Sequence, residues 1–327
     1  MRLSQLGERK IIELFARRLG ACEDLVLGIG DDACVFRLGP DDHLVVTTDL
    51  LTEKAHIPKE MTPRQIGMMA VNVNLSDLAA MGAKPLGLVF SFGLPPDLEA
   101  GFVEEMAEGM EKACKEHGTC TAGGDTKEHR EMVIAGTAFG RAGERYLTRG
   151  GARVGDLLCV TGTIGSATAG FYCITRGLAP EGRERFLKAA LEPRARVKEG
   201  LVLVHHASAC TDITDGLAWS LHEVARRSGK GFLVYEDRVP IDEGIRGVAR
   251  EAGVPMREVV FHKGGDYELL FAIPPAALEM VMGSLRSLGT KVTVIGEVTP
   301  KGGRIVAPDG REGELEARGY ESFVSRF

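Results

Sequence analysis

The chain has 327 residues, a net charge of −6, 44% hydrophobic and 26% charged residues, which suits two α/β domains of an ordinary globular protein. The negative balance excludes a general nucleic-acid binder, since a polyanion would meet no basic field, and a phosphorylated ligand would have to be neutralised by metal ions rather than lysines. Seven cysteines with no CxxC pair, a polar start from Arg2 to Lys10 and no apolar run of ~20 residues argue for buried thiols in a reducing cytoplasm, with no disulfide framework, zinc site, signal peptide or membrane span.

Residues 8–19 place Ile11, Ile12, Leu14, Phe15 and Leu19 among charges, an amphipathic helix. Strands follow at 25–29 and 43–49. Thr62-Pro63 reads as N-cap and first helical residue of a helix through Ile66, Met69, Ala70 and Val73. Strand 85–94, helix 96–117 and strands 119–122 and 132–139 complete the first half. The Gly-rich stretch 148–156 divides the chain into domains 1–148 and 149–327. The second half starts with strand 157–160 and helices near 165–176, 182–190, 194–206 and 215–228. Strands 232–235 and 267–273, helix 275–288 and strand 292–298 end it. Alternating elements in both halves predict two α/β or α+β layers.

One local grammar recurs: an aspartate flanked by Gly, Ser or Thr just beyond an apolar run. It occurs as Gly30-Asp31-Asp32, Thr47-Thr48-Asp49, Ser76-Asp77, Gly123-Gly124-Asp125-Thr126 and Asp212-Ile213-Thr214-Asp215-Gly216. Taken singly, each is ordinary turn or N-cap text, and Asp215 before a helix is more simply a cap. Five such sites with few basic neighbours point instead to Mg²⁺, which is usually held by one or two carboxylates plus substrate phosphates. A nucleoside triphosphate with a phosphomonoester brings roughly six negative charges, a load that Asp31, Asp49, Asp77, Asp125, Asp212 and Asp215 would hold only through cations. Asp32 is the weaker candidate of its pair, placed to cap or orient its neighbour. Other nucleotide signatures are missing: Ser228-Gly229-Lys230-Gly231 is no P-loop, and the glycines from Gly162 to Gly170 do not follow GxGxxG. No serine or cysteine triad is evident.

The segments GIGDDACVF (28–36), TTDLL (47–51), VNLSDLAAMGAKP (ending at 85), GGDT (123–126), LTRGGARVGD (147–156), VTGTIG (160–165), DITDGLAWSL (212–221) and GDYELLF (265–271) resemble thiamine-monophosphate kinases, within the aminoimidazole ribonucleotide synthetase-like superfamily. The resemblance spans nearly the whole chain in order. It implies a two-domain α/β (α+β) fold whose N-terminal sheets pair across a homodimer, with ATP and several Mg²⁺ in a cleft. It also implies transfer of the γ-phosphoryl group of ATP to thiamine monophosphate. Matching positions would make Asp31, Thr47, Thr48, Asp49, Asp77, Asp125, Asp212 and Asp215 metal ligands, and Gly124, Asp125, Arg149 and Thr214 contacts to ATP. Asp77, Asp125 and Arg149 would carry the chemistry. His56 and the aromatic end Gly319-Tyr320-Glu321-Ser322-Phe323, with Phe323 foremost, would meet the acceptor.

An acceptor phosphate is already anionic near pH 7, so alignment and charge neutralisation suffice without a strong base. The family's Gly-Gly-Glu-Asp-Tyr-Glu-Leu is one residue shorter here, Lys263-Gly264-Gly265-Asp266-Tyr267-Glu268. Gly265 or a shifted Asp266 then takes the place of an acceptor-contacting glutamate. Competing readings are another ATP-dependent enzyme of the superfamily and a non-catalytic nucleotide-binding homologue. Selenophosphate synthesis is disfavoured because no cysteine lies in a Gly-rich N-terminal loop, and hydrogenase-maturation dehydration because the chain ends without a terminal cysteine.

Overall fold

The structure is a computed structural model that describes residues 2–323. Its first sheet joins β1 (Leu25–Leu27), β2 (Cys34–Gly39), β3 (Asp42–Thr52), β4 (Lys84–Leu94), β5 (Thr121–Glu128) and β6 (Val133–Ala142) in the order β1-β2-β3-β6-β4-β5. Only β4 and β5 run parallel. The second sheet comprises β7 (Leu157–Thr161), β8 (Ala209–Asp212), β9 (Gly231–Tyr235), β10 (Leu269–Ile273), β11 (Val292–Thr299), β12 (Gly303–Val306) and β13 (Glu312–Glu314). Its order is β13-β12-β9-β11-β7-β10-β8, with a single parallel pair, β9 and β12.

Helices α1 (Glu8–Ala16), α2 (Glu53–His56), α3 (Pro63–Ala80) and α4 (Ala100–His117) belong to the first half of the chain. The second half carries α5 (Ser166–Thr175), α6 (Arg183–Leu191), α7 (Val197–Leu203), α8 (Leu217–Ser228), α9 (Ile245–Ala252), α10 (Met256–Val260) and α11 (Leu278–Ser287). The expected mixed α/β layers are present. Strands 34–39 and 209–212, the hairpin at 303–314 and helices 245–252 and 256–260 were not foreseen.

Helix α3 organises the core. Thr62 and Gln65 close its start reciprocally: the Gln65 N–H donates to Thr62 Oγ1 at 3.3 Å, and the Thr62 N–H donates to Gln65 Oε1 at 3.0 Å. Pro63 then supplies a pre-set φ where no N–H is needed. Fourteen of its 18 residues are buried, so α3 is a strut enclosed on all sides rather than an amphipathic surface helix. Its C-terminal half reaches from the first sheet to β8 of the second, where Ser76 Oγ donates to Asp212 Oδ2 at 2.5 Å. Strand β3 alternates in the usual period of two: Val45, Thr47 and Leu51 point inward, whereas Thr48 and Leu50 face out. The middle of β3, the last turns of α3 and the edge strand β8 of the second sheet therefore meet at one place.

Candidate active site

Three carboxylates converge there from separate elements. Asp32 precedes β2, Asp77 lies on α3 and Asp212 ends β8, and each offers an oxygen within 4.8 Å of the others. Asp32 is 8% exposed. Its Oδ1 accepts from Arg149 Nη2 at 2.6 Å, Arg149 Nε at 3.1 Å and Thr211 Oγ1 at 3.0 Å. Its Oδ2 is buried with no partner, although a buried carboxylate oxygen normally finds one. Thr47 Oγ1 donates to Asp77 Oδ2 at 2.5 Å, and the Asp49 N–H donates to Asn74 Oδ1 at 3.1 Å.

The electrostatics show excess negative charge in a nearly dry place. Burial, with Asp32 beside it, pushes Asp212 up to about 8. Burial and Asp49, Asp212 and Asp32 raise Asp77 well above the carboxylate range. Burial lifts Asp31, Asp49 and Asp215 each to about 6, helped at Asp31 by the Asp32 charge and opposed at Asp215 by Arg9. Burial works against the Arg149 charge, but Asp32, Asp212 and Asp31 outweigh it and hold the guanidinium protonated beyond its ordinary range. One arginine does not balance these acids. A donor set of clustered carboxylate and hydroxyl oxygens with one orphaned buried oxygen fits a hard divalent cation, and soft-metal ligands are not part of it.

The cluster opens into a cavity of about 1230 Å³ lined by Asp31, Asp32, Thr47, Arg149, Asp212 and Asp215, with α1 and α8 as its walls. The Asp31-Asp32 step is shaped by Gly30, whose φ is +118°, and a Cβ there would overlap the Arg227 guanidinium of α8. Asp31 turns to the backbone, accepting from the Arg149 N–H at 3.0 Å and the Asp32 N–H at 3.1 Å. Thr214 and Asp215 are seated on the short 263–266 loop. The Gly265 N–H donates to the Thr214 carbonyl at 2.8 Å, and a Cβ on Gly264 would lie 1.7 Å from that same oxygen.

Thr48 lines the same cavity from the outward-facing side of β3, where its Oγ1 donates to the Gly136 carbonyl at 2.7 Å. The remaining candidates lie outside that lining. Gly124 and Asp125 are on β5, exposed along its whole length, and Asp125 Oδ1 accepts from the Thr126 N–H and from Lys127 Nζ. Across the sheet Asp125 aligns with Ser91, Ala135 and Leu50, which puts it roughly 14 Å from β3 at ~4.8 Å per strand. His56 ends α2 and its Nδ1 accepts from the Thr52 N–H at 3.1 Å. Asp266 accepts from the Gly165 N–H at 2.8 Å and the Ala167 N–H at 3.1 Å, at the start of α5. Burial lifts it to about 7 against those two bonds. Phe323 is exposed with φ +73°.

Sequence reasoning missed two members of the site. Asp32 was ranked below Asp31, and nothing local distinguishes them. Tyr267 holds a φ of +51° that bulky residues rarely adopt. Burial and four aspartates push its phenol well above the ordinary range.

Two family descriptions match in tandem, AIR synthase related protein, N-terminal domain, over residues 30–142 and its C-terminal domain over 153–307. With two sheets meeting at a carboxylate cleft, the chain belongs to the AIR synthase-related proteins. The thiamine-monophosphate kinase of Pyrococcus horikoshii is 33% identical over 319 residues, spanning 98% of this chain and 97% of that one. The thiamine-monophosphate kinase of Methanospirillum hungatei is 38% identical over 294 residues, spanning 89% and 92%. A solved structure described as AaThiL complexed with AMPPCP and TMP superposes with a TM-score of 0.85 at 29% identity, covering 98% of this chain and 99% of that one. Within its superfamily, the chain is a member of the thiamine-monophosphate kinase family.

Proposed function

We propose that the chain transfers the γ-phosphoryl group of ATP to the phosphate of thiamine monophosphate, forming thiamine diphosphate and ADP. The observation that carries this reading is the meeting of Asp32, Asp77 and Asp212 around an unsatisfied buried oxygen, in a chain whose relatives are named for that activity. Bound magnesium would supply the positive charge that lets two phosphorylated substrates approach each other. Asp32, Asp77 and Asp212 would hold it, with Thr47, Asp49 and Asp215 at the margins of the cluster. Asp31, tied to the Arg149 backbone, orients that arginine. Arg149, gripped by Asp32 and 3.7 Å from Glu223, is a fixed cation for nucleotide phosphates in the cavity that Thr214 also lines. No general base is needed, because the acceptor oxygen is already an anion; the residues align and neutralise.

We assign the acceptor to the end of the cleft where residues 319–322 meet Asp215, with His56 included because its ring feels Glu8, which is bonded to Ser322. The turn of Asp266 toward α5 leaves that end without the carboxylate the family places there, which favours, as the second reading, a different phosphorylated acceptor. Gly124 and Asp125 could serve a nucleotide only in a second copy's cleft, since β5 lies away from the cluster of its own chain. A homodimer through the outer face of the first sheet supplies that copy: Leu50, Leu86 and Val89 are exposed there, and apolar residues side by side on one face invite burial. A cytoplasmic setting fits its free cysteines. Incubation with ATP, Mg²⁺ and thiamine monophosphate tests the proposal. Equal amounts of thiamine diphosphate and ADP are expected; ADP with inorganic phosphate alone would overturn it, and product from another phosphomonoester only would favour the second reading.

A further inference from the structure

Arg9 is tied to four groups at the mouth of the cleft. Its guanidinium carbon lies 3.2 Å from the centroid of the Trp219 ring. Nη1 donates to Glu321 Oε2 at 3.0 Å, Nη2 donates to the Tyr320 carbonyl at 3.0 Å, and Nη2 is 3.6 Å from Asp215 Oδ2. The backbone repeats the connection. The Arg9 N–H donates to Glu321 Oε1 at 3.2 Å, the Ser322 N–H to Glu8 Oε2 at 3.1 Å, and the Tyr320 N–H to the Asp215 carbonyl at 2.8 Å. No residue of α1 is buried, so core packing does little to hold that helix where it lines the cavity.

We propose that Arg9, stacked on Trp219, is a positioning residue for the acceptor: a latch that ties the start of α1 and residues 320–322 together over Asp215. The chemistry requires a guanidinium. It presents a flat face to the indole while its edge donates to a carboxylate and a carbonyl, which an ammonium cannot do at once. Through these contacts Arg9 sets the position of residues 320–322 and places a permanent cation beside Asp215. The neighbouring Glu8 adds a charge felt at Asp49, His56 and Asp215, so the start of α1 lies within electrostatic reach of the acceptor end. Of the acids assigned to the cation, Arg9 reaches only Asp215, at the margin of the cluster, so nucleotide binding should change far less than acceptor binding. The inference rests on the assignment of the acceptor to this end of the cleft.

Trp219 is the only tryptophan of the chain, so its fluorescence reports the latch directly. In the full-length protein, Arg9→Ala should raise the KM for thiamine monophosphate about tenfold, the scale of a partly desolvated cation–π contact with its hydrogen bonds. The KM for ATP should stay within about twofold. Acrylamide quenching of Trp219 should at least double, Arg9→Lys should recover little of either property, and Trp219→Phe, which keeps a ring face, should bind the acceptor nearly as well as the parent. An unchanged KM for the acceptor in Arg9→Ala, or an equal rise in both KM values, would overturn the proposal. Were the parent protein to make no thiamine diphosphate, the acceptor assignment would fall with it. Quenching unchanged in Arg9→Ala would remove the latch whatever the activity.

Discussion

Replacing Asp32 by Asn separates the metal-holding role of that side chain from its structural one. In the metal-free protein two effects oppose each other. Unit charges within 4.8 Å repel by about 3.5 kcal/mol at an effective dielectric of ~20. Near pH 7 the proton on Asp212, whose pKa is about 8, leaves the Asp77 contact as the main repulsion open to relief, and raising of Asp77 reduces even that. Against this, Asp32→Asn weakens the bond to Arg149, an attraction of about 4 kcal/mol on the same scale, while the Asn carbonyl still accepts from Nη2. With Asp212 protonated and Asp77 raised, the weakened Arg149 attraction outweighs the repulsion relieved, so the metal-free melting temperature should fall by a few degrees. With Mg²⁺ the outcome differs. At a hundredfold excess over Kd, a bound cation stabilises the parent by about 2.7 kcal/mol, a shift of several degrees, and the variant should lose most of it. Melts with and without Mg²⁺ measure both quantities. A variant that keeps the full Mg²⁺-dependent shift would refute the reasoning, since the orphaned oxygen would then hold nothing.

The raised pKa of Asp212 also gives a pH dependence. The folded state binds this proton between pH ~4 and about 8 while the unfolded chain does not, so in EDTA stability should fall as pH rises through that window. Urea titrations at pH 5 and pH 9 should show it, with Mg²⁺ restoring most at pH 9; a chain more stable at pH 9 without metal would contradict this sign. On the outer face of the first sheet, Leu50 is 54% exposed; the proposed dimer predicts that the parent elutes as a dimer on size-exclusion chromatography and that Leu50→Glu elutes as a monomer without turnover. An active monomer would remove the need for a second copy. Mixing inactive Asp32→Asn and Asp125→Asn chains should restore about a quarter of the parent activity if each cleft combines both copies, and none if each cleft is built from one chain.

Much of this was legible because it is local. The Thr62-Pro63 start of α3 is a capping signal that needs no tertiary context, and the recurrent Gly/Ser/Thr-Asp text picked out Asp77, Asp212 and Asp215, although they lie within α3, at the end of β8 and just before α8. What was not legible depends on distant partners. Asp31 and Asp32 are adjacent and chemically alike; Arg149 and Thr211, more than a hundred residues away, pull Asp32 into the cluster and leave Asp31 on the backbone. The strand expected at 119–122 runs on to Glu128 because pairing with β4 extends it through Gly, Asp and Lys residues of low strand propensity. Asp266 looked like a cleft residue, yet its oxygens cap α5 about a hundred positions earlier. The Arg9–Trp219 stack joins residues that no local pattern connects.

The most direct test is a crystal of this protein grown with Mn²⁺ in place of Mg²⁺ and a non-hydrolysable ATP analogue, examined by anomalous scattering. The account predicts metal peaks within ligand distance of Asp32 Oδ2, Asp77 and Asp212, with the analogue's phosphates beside Arg149. Peaks absent from that cluster, or a nucleotide bound away from it, would contradict the claim that these carboxylates gather cations to hold a phosphorylated substrate.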